Sequence, residues 1–133
     1  MPTDTTLDHL ADEKFVSLTT FRKNGVGVPT PVWIGRDGDA LVVTTPVGSG
    51  KVKRLRRNRT VELRPCNRRG IVEDDAPTVR AVAQIVEGDA AMRRLDEVLK
   101  PKYSFEYRAV MTIERLLRRE SPQRVMLRIS PVD

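Results

Sequence analysis

Pro29-Thr30-Pro31 interrupts a stretch that otherwise reads as a β-strand, and it restricts the fold more than any other feature of the chain. In a strand, the backbone N–H groups of residues i and i+2 point to the same edge. Two prolines at that spacing remove two successive donors, so that edge cannot zip fully to a neighbour. A barrel built with this strand is expected to be split there. The N–H of Trp33, next along the same edge, stays available for a partner other than a strand. Protection of an ordinary edge strand accounts for the same prolines without any ligand.

The surrounding pattern predicts several such strands. Phe15 to Phe21 alternates, with Phe15, Ser17, Thr19 and Phe21 on one face and Val16, Leu18 and Thr20 on the other. Lys23-Asn24-Gly25 turns the chain into a hairpin partner over Val26 to Ile34, and Arg36-Asp37-Gly38-Asp39 turns it into a third strand over Ala40 to Thr45. These three are expected to form an antiparallel meander. Further strands are predicted over 60–65, 78–86 and 124–129. Helices are predicted from Thr5 to about Glu13, over Lys51 to Asn58, near Asp89 to Leu99 with Pro101 as its stop, and from about Ser104 to Arg119. Six antiparallel strands with a few helices predict a small barrel, and no linker divides the 133 residues, so residues 1–133 are expected to form a single domain.

Composition removes much familiar chemistry. One cysteine, Cys66, allows no internal disulfide, and one histidine, His9, makes a His/Cys metal site or a Ser-His-Asp triad within one chain implausible. No metal is expected. The apolar runs are strand-sized, which predicts no transmembrane segment, and the start lacks a signal-peptide pattern, so a cytoplasmic location is expected.

The net charge of +6 is unevenly spread. Lys51, Lys53, Arg54, Arg56, Arg57, Arg59, Arg64, Arg68 and Arg69 stand against Glu62 alone, a local +8 that leaves −2 for the rest of the chain. A solvated, arginine-rich helix face is the plain explanation; a polyanionic partner is the sharper one. The order Ser49-Gly50-Lys51-Val52-Lys53-Arg54 favours the second. Cations in the first turn of a helix oppose its macrodipole at a cost of about a few tenths of a kcal/mol each. Free N–H groups from Ser49 through Gly50 to Lys51, the Ser49 hydroxyl, Lys51 and Lys53 would together cradle a phosphate. The glycine and Lys-Ser/Thr spacing of a Walker-type loop is absent. Strand three ends at Thr44-Thr45 directly before this cradle, and strand two supplies an apolar slot with Trp33. A planar ring between the strands, with a phosphorylated tail on the helix, describes a flavin-type mononucleotide site. Few aromatic residues argue against a nucleic-acid stacking platform, and no nucleic-acid partner is expected.

Phe15-Val16-Ser17-Leu18-Thr19-Thr20-Phe21-Arg22 with Pro29-Thr30-Pro31-Val32-Trp33 resembles the opening hairpin of the pyridoxamine 5'-phosphate oxidase-like split-barrel family. Ser49 to Asn58, with Val61 and Pro65-Cys66, resembles its deazaflavin branch, the small F420-dependent oxidoreductases of actinobacteria; so do Lys102-Tyr103, Tyr107-Arg108 and Glu114-Arg115-Leu116-Leu117. The resemblance implies a homodimer of six-stranded antiparallel split β-barrels with a cofactor groove at the subunit interface. It implies the phosphate of coenzyme F420 on Ser49, Gly50, Lys51, Lys53 and Arg54, its glutamate tail near Arg56, Arg57 or Arg59, and its ring near Pro31, Val32, Trp33, Thr44 and Thr45. The implied reaction is hydride transfer from the reduced deazaflavin to a conjugated small molecule. An FMN-dependent relative and a non-catalytic cofactor carrier are the alternatives. The proton that accompanies reduction would come from solvent, Tyr103 or Tyr107, and packing between helix and barrel is the plainer reading of both tyrosines.

Overall fold

The alternation from Phe15 to Phe21 becomes strand β1 (Phe15–Phe21), with Val16, Leu18 and Thr20 fully buried. The structure, a computed structural model, describes residues 3–117 and 123–132, with side-chain detail for 7–110, 112 and 123–132. After helix α1 (Thr3–Leu10) and β1 come β2 (Gly27–Val32), β3 (Gly35–Asp37), β4 (Ala40–Pro46), helix α2 (Gly50–Arg57), β5 (Thr60–Cys66), β6 (Val79–Val86), helix α3 (Asp89–Leu117) and β7 (Arg124–Pro131). All strand pairs are antiparallel, in the spatial order β2-β1-β5-β6-β7-β4-β3.

That order explains the curl. The two edge strands, β2 and β3, are separated in sequence by only Trp33 and Ile34. Three Cα–Cα steps span at most about 11 Å, so the two edges of the sheet must lie close together. The result is an open barrel with its split at β2.

Two expectations need correction here. The predicted second strand over 26–34 is two strands, which raises the number from six to seven among the described residues. The meander also fails, because β2 pairs only with β1 and β3 only with β4. The prolines supply the reason. Arg22 N–H donates to Val26 C=O at 2.9 Å, which makes 22/26 a hydrogen-bonded pair. Alternation in steps of two then turns Val28 and Thr30 toward β1 and the nitrogens of Pro29 and Pro31 toward the open edge. Those nitrogens cannot donate to β4 across the split.

The inner face of the curled sheet carries Val16, Leu18, Ile34, Leu41, Val43, Val61, Leu63, Ala81, Leu127 and Ile129. Two helices extend this core: α1 contributes Leu7 and Leu10, and α2 contributes Val52 and Leu55, three apart on one face. On the outer face, Val42 and Met126 pack beneath Ala91, Leu95, Leu99, Tyr103 and Tyr107 of α3. Gly35 permits this approach, since a Cβ there would lie 2.3 Å from Val98 Cγ1.

The two helices predicted on either side of Pro101 are both present within α3; the first runs past the proline, and the break between them falls at Ser104 (φ 33°, ψ −98°). Lys102 and Tyr103 govern this stretch. Lys102 Nζ donates to the carbonyls of Ala11, Glu13 and Ile34 at 2.8, 2.6 and 2.7 Å, and Tyr103 is buried against the strands. These anchors hold the chain against the sheet past the proline, and the break falls immediately after them. The side chains of residues 113–117 lie outside those described, and Arg118 and Arg119, at the end of the predicted helix, lie outside the described residues.

Candidate functional site: a cationic cleft at the split edge

Strand β4 runs to Pro46, which stops it, and Ser49 then caps α2 by accepting from Val52 N–H at 3.4 Å. This short connection sets the N-terminus of α2 beside the end of β4. The open edge of β2, the end of β4 and the start of α2 thereby enclose a cleft of about 280 Å³. Its walls include Phe15, Pro31, Val32 and Trp33 on the apolar side, with Thr44, Thr45, Lys51, Arg68 and Arg124 on the polar side. Among the described residues its walls hold no carboxylate.

Of the residues singled out from the sequence, the cleft brings together Pro31, Val32, Trp33, Thr44, Thr45 and Lys51. Ser49, Gly50, Lys53, Arg54 and Arg57 do not line it. Ser49 is occupied: its hydroxyl caps α2 and accepts from Thr45 Oγ1 at 3.1 Å. Arg54 reaches the barrel, donating from Nε to Thr20 Oγ1 at 2.6 Å. Gly50 leaves room for the Arg54 guanidinium, since a Cβ there would sit 2.8 Å from Nη1. Lys53 and Arg57 are exposed on the outer side of α2.

Four of the wall residues escape the sequence reading for different reasons. Arg124 enters through pairing, because it lies opposite Pro46 in the β4–β7 ladder and donates from Nε to Thr44 Oγ1 at 2.9 Å. Arg68 enters through a loop. Gly70 adopts φ +84° and lies so close to Pro31 that a Cβ would meet its ring at 3.4 Å. Phe15 belongs to the outward set of β1, a signal the alternation already contained. Val110 comes from the part of α3 beyond the Ser104 break, where a helix is predicted but its approach to the cleft is not.

Electrostatics set Lys51 apart. Loss of solvent pushes its ammonium below the ordinary lysine value, and repulsion from Arg54 and Arg124 pushes further in the same direction. Among the described residues it has no carboxylate or hydrogen-bond partner. Its place in the first turn of α2, where no acidic residue stands, adds an unfavourable dipole contact. A half-buried cation so disposed is a ready anion site.

Trp33, on the opposite wall, is held from behind. Its ring stacks on Tyr103 at 4.9 Å between centroids and 20° between planes, and lies 6.1 Å from Tyr107 at 38°. The Tyr103 hydroxyl accepts from Ile34 N–H at 2.9 Å and donates to Lys14 C=O at 2.7 Å. Burial pushes this phenol up to about 12, so it keeps its proton near neutrality. Cys66 is half-buried, and burial together with the nearby Glu13 charge pushes its thiol up, away from nucleophilic use.

Two larger hollows lack this character. One of about 760 Å³ contains Arg36 and Arg128, but these already pair with Asp8 and Asp37. The other, about 590 Å³, lies on α3 around the Ser104 break and includes the carboxylates Asp96 and Glu97.

No protein-family model matches the sequence, and no curated protein matches it significantly. Solved structures do match. A conserved hypothetical protein from Mycobacterium tuberculosis is 22% identical with a TM-score of 0.70, over 100% of this chain and 82% of that one. An F420 reductase is 19% identical with a TM-score of 0.61, over 95% and 93%. A pyridoxamine 5'-phosphate oxidase-related, FMN-binding protein from Nostoc punctiforme is 14% identical with a TM-score of 0.52, over 98% and 75%. The chain thus has the pyridoxamine 5'-phosphate oxidase-like split-barrel fold. That fold also serves a haem storage protein of Vibrio cholerae and a general stress protein of Bacillus anthracis, so it leaves the activity open. Among the described residues, no helix is long and apolar enough to cross a membrane.

Proposed function

We propose that this chain is an F420-dependent oxidoreductase that transfers a hydride from the reduced deazaflavin to a conjugated organic molecule. The observation that carries the reading is Lys51, a half-buried ammonium with no anionic partner among the described residues, opposite an apolar wall of Pro31, Val32 and Trp33. The donor set fits a phosphate-bearing planar ring: Lys51 and Arg124 would hold the phosphate, and Trp33 with Val32 would flank the ring. When bound, the reduced deazaflavin supplies the hydride, which removes the need for an acid–base pair of protein residues. The chain's own task is to bind, orient and keep water from the ring. Val32 and Trp33 present a dry surface, while the Tyr103 and Tyr107 rings behind Trp33 hold its indole plane.

The same proposal includes a homodimer. The cleft, at about 280 Å³, falls just below the roughly 300–1,000 Å³ usual for ligand pockets. It is open to solvent, and Val110 on its rim is 37% exposed. A second copy over this face would complete the groove.

FMN is the second reading, favoured by the likeness to the FMN-binding protein of the same fold. Titrating the purified protein with F420 and with FMN under one set of conditions separates the two. Tighter binding of F420 is expected, and tighter binding of FMN would overturn the deazaflavin assignment. Tight F420 binding without hydride transfer to any acceptor would indicate a carrier.

A further inference from the structure

Behind the cleft, three aromatic rings and a carboxylate form a continuous file from one side of α3 to the other. Trp33 lines the cleft. Tyr103 and Tyr107 both touch its ring, at 4.9 and 6.1 Å between centroids. The phenol of Tyr107 then donates to Asp96 Oδ1 at 2.5 Å, and Asp96 opens onto the solvent-filled hollow on the far side of the helix. Both tyrosines are buried, and the proposed hydride transfer uses the Tyr107 ring only as support for Trp33 and leaves its hydroxyl and Asp96 without a task.

We propose that Trp33, Tyr107 and Asp96 form a relay that carries a one-electron oxidation out of the cleft to the protein surface. The oxidant is of the radical or photo-excited-ring class, formed or bound in the cleft. It removes one electron from the Trp33 indole. Tyr107 returns that electron to Trp33, and its phenolic proton passes along the existing hydrogen bond to the Asp96 carboxylate. The products are a restored indole, a neutral tyrosyl radical and a neutral carboxylic acid. A soluble thiol or ascorbate then reduces the tyrosyl radical by one electron, and Asp96 gives the proton back.

Chemistry selects Tyr107 over Tyr103, although Tyr103 stacks closer. A phenol is readily oxidised only if its proton has somewhere to go. The Tyr103 hydroxyl has only backbone carbonyls as acceptors, Lys14 at 2.7 Å or Ile34 at 3.0 Å, and these are not bases. The Tyr107 hydroxyl donates to a carboxylate, which is one. The relay protects whatever occupies the cleft, and it holds whichever cofactor that is.

The composition makes the test unusually clean, because the chain has one tryptophan and two tyrosines. Pulse radiolysis of the full-length protein with azide radical, which oxidises indole in preference to phenol, generates the Trp33 radical directly. Its absorbance is expected to decay as that of a tyrosyl radical rises, at a rate independent of protein concentration. Tyr107→Phe should abolish the tyrosyl signal and lengthen the Trp33 radical lifetime by roughly ten-fold or more. Tyr103→Phe should leave the transfer in place, and Asp96→Asn should slow it while the fold is intact by circular dichroism. Decay of the Trp33 radical with no tyrosyl signal would overturn the relay. So would a signal lost in Tyr103→Phe and kept in Tyr107→Phe.

Discussion

Arg54 Nε lies 2.6 Å from Thr20 Oγ1, joining the cationic helix α2 to a fully buried hydroxyl of β1. This contact separates Arg54 from the other cations of its segment, for its role is to fix α2 on the barrel. Arg54→Ala should therefore cost about 1–2 kcal/mol of stability, the scale of a hydrogen bond from a charged donor. Urea unfolding measures it. An unchanged midpoint would show that the contact contributes nothing.

Lys51 should behave in the opposite way. Burial, then Arg54 and Arg124, hold its folded value below the 10.5 of an unfolded lysine. The ligand-free protein thus carries a penalty wherever the lysine is charged in both states. That penalty lifts as pH rises through the folded value and then the unfolded one. Lys51→Met should stabilise the free protein near neutrality by about 0.5–2 kcal/mol, the usual yield of relieving an unfavourable surface charge. Thermal unfolding without ligand checks this; a lower Tm would contradict it.

Asp37 is the centre of a different network. It accepts from Arg94 and Arg128 at 2.7 Å each, tying β3 to α3 and β7. The Arg94 hydrogen bond is the largest cause holding its carboxyl below the ordinary 3.8; burial opposes the shift, and Arg128 reinforces it. The resulting stability is present above 3.8 and lost as pH falls through the folded value. Asp37→Asn should cost about 1–3 kcal/mol at neutral pH and much less in strong acid. Acid unfolding of both proteins tests this, and parallel profiles down to low pH would refute it.

Trp33 belongs to the ring side of the cleft, across from Lys51. Trp33→Ala should weaken the full cofactor and a ring-only analogue lacking the phosphate tail by the same factor. Isothermal titration of both ligands decides. A loss confined to the full cofactor would move Trp33 to the tail.

Much of this fold is legible locally. The period-two run of β1 and the Ser49 cap with Val52 and Leu55 in α2 depend on neighbours in sequence, and they stand where the pattern puts them. The split is legible too, because proline nitrogens forbid donors whatever the tertiary context. Pairing partners are not. That β2 and β3 become opposite edges depends on β7 reaching β4, some eighty residues on, and no local signal carries it. The same distance hides Arg124, which enters the cleft only through that ladder. Pro101 marks the break between the two helices of α3 to within three residues, and anchors at Lys102 and Tyr103 carry the first helix past it to Ser104. The charge count identifies the cationic segment correctly but not the direction of each side chain. Lys51 faces the cleft, Arg54 faces Thr20, and Lys53 and Arg57 face solvent.

The most direct measurement is the affinity of F420 for the unmodified protein and for Lys51→Ala, each determined by quenching of the cofactor's fluorescence. A loss of about 1–3 kcal/mol in the variant, as for a charge-assisted contact, is predicted. Equal affinity in the two proteins would contradict the claim that the cationic cleft at the split edge holds the phosphate of the cofactor.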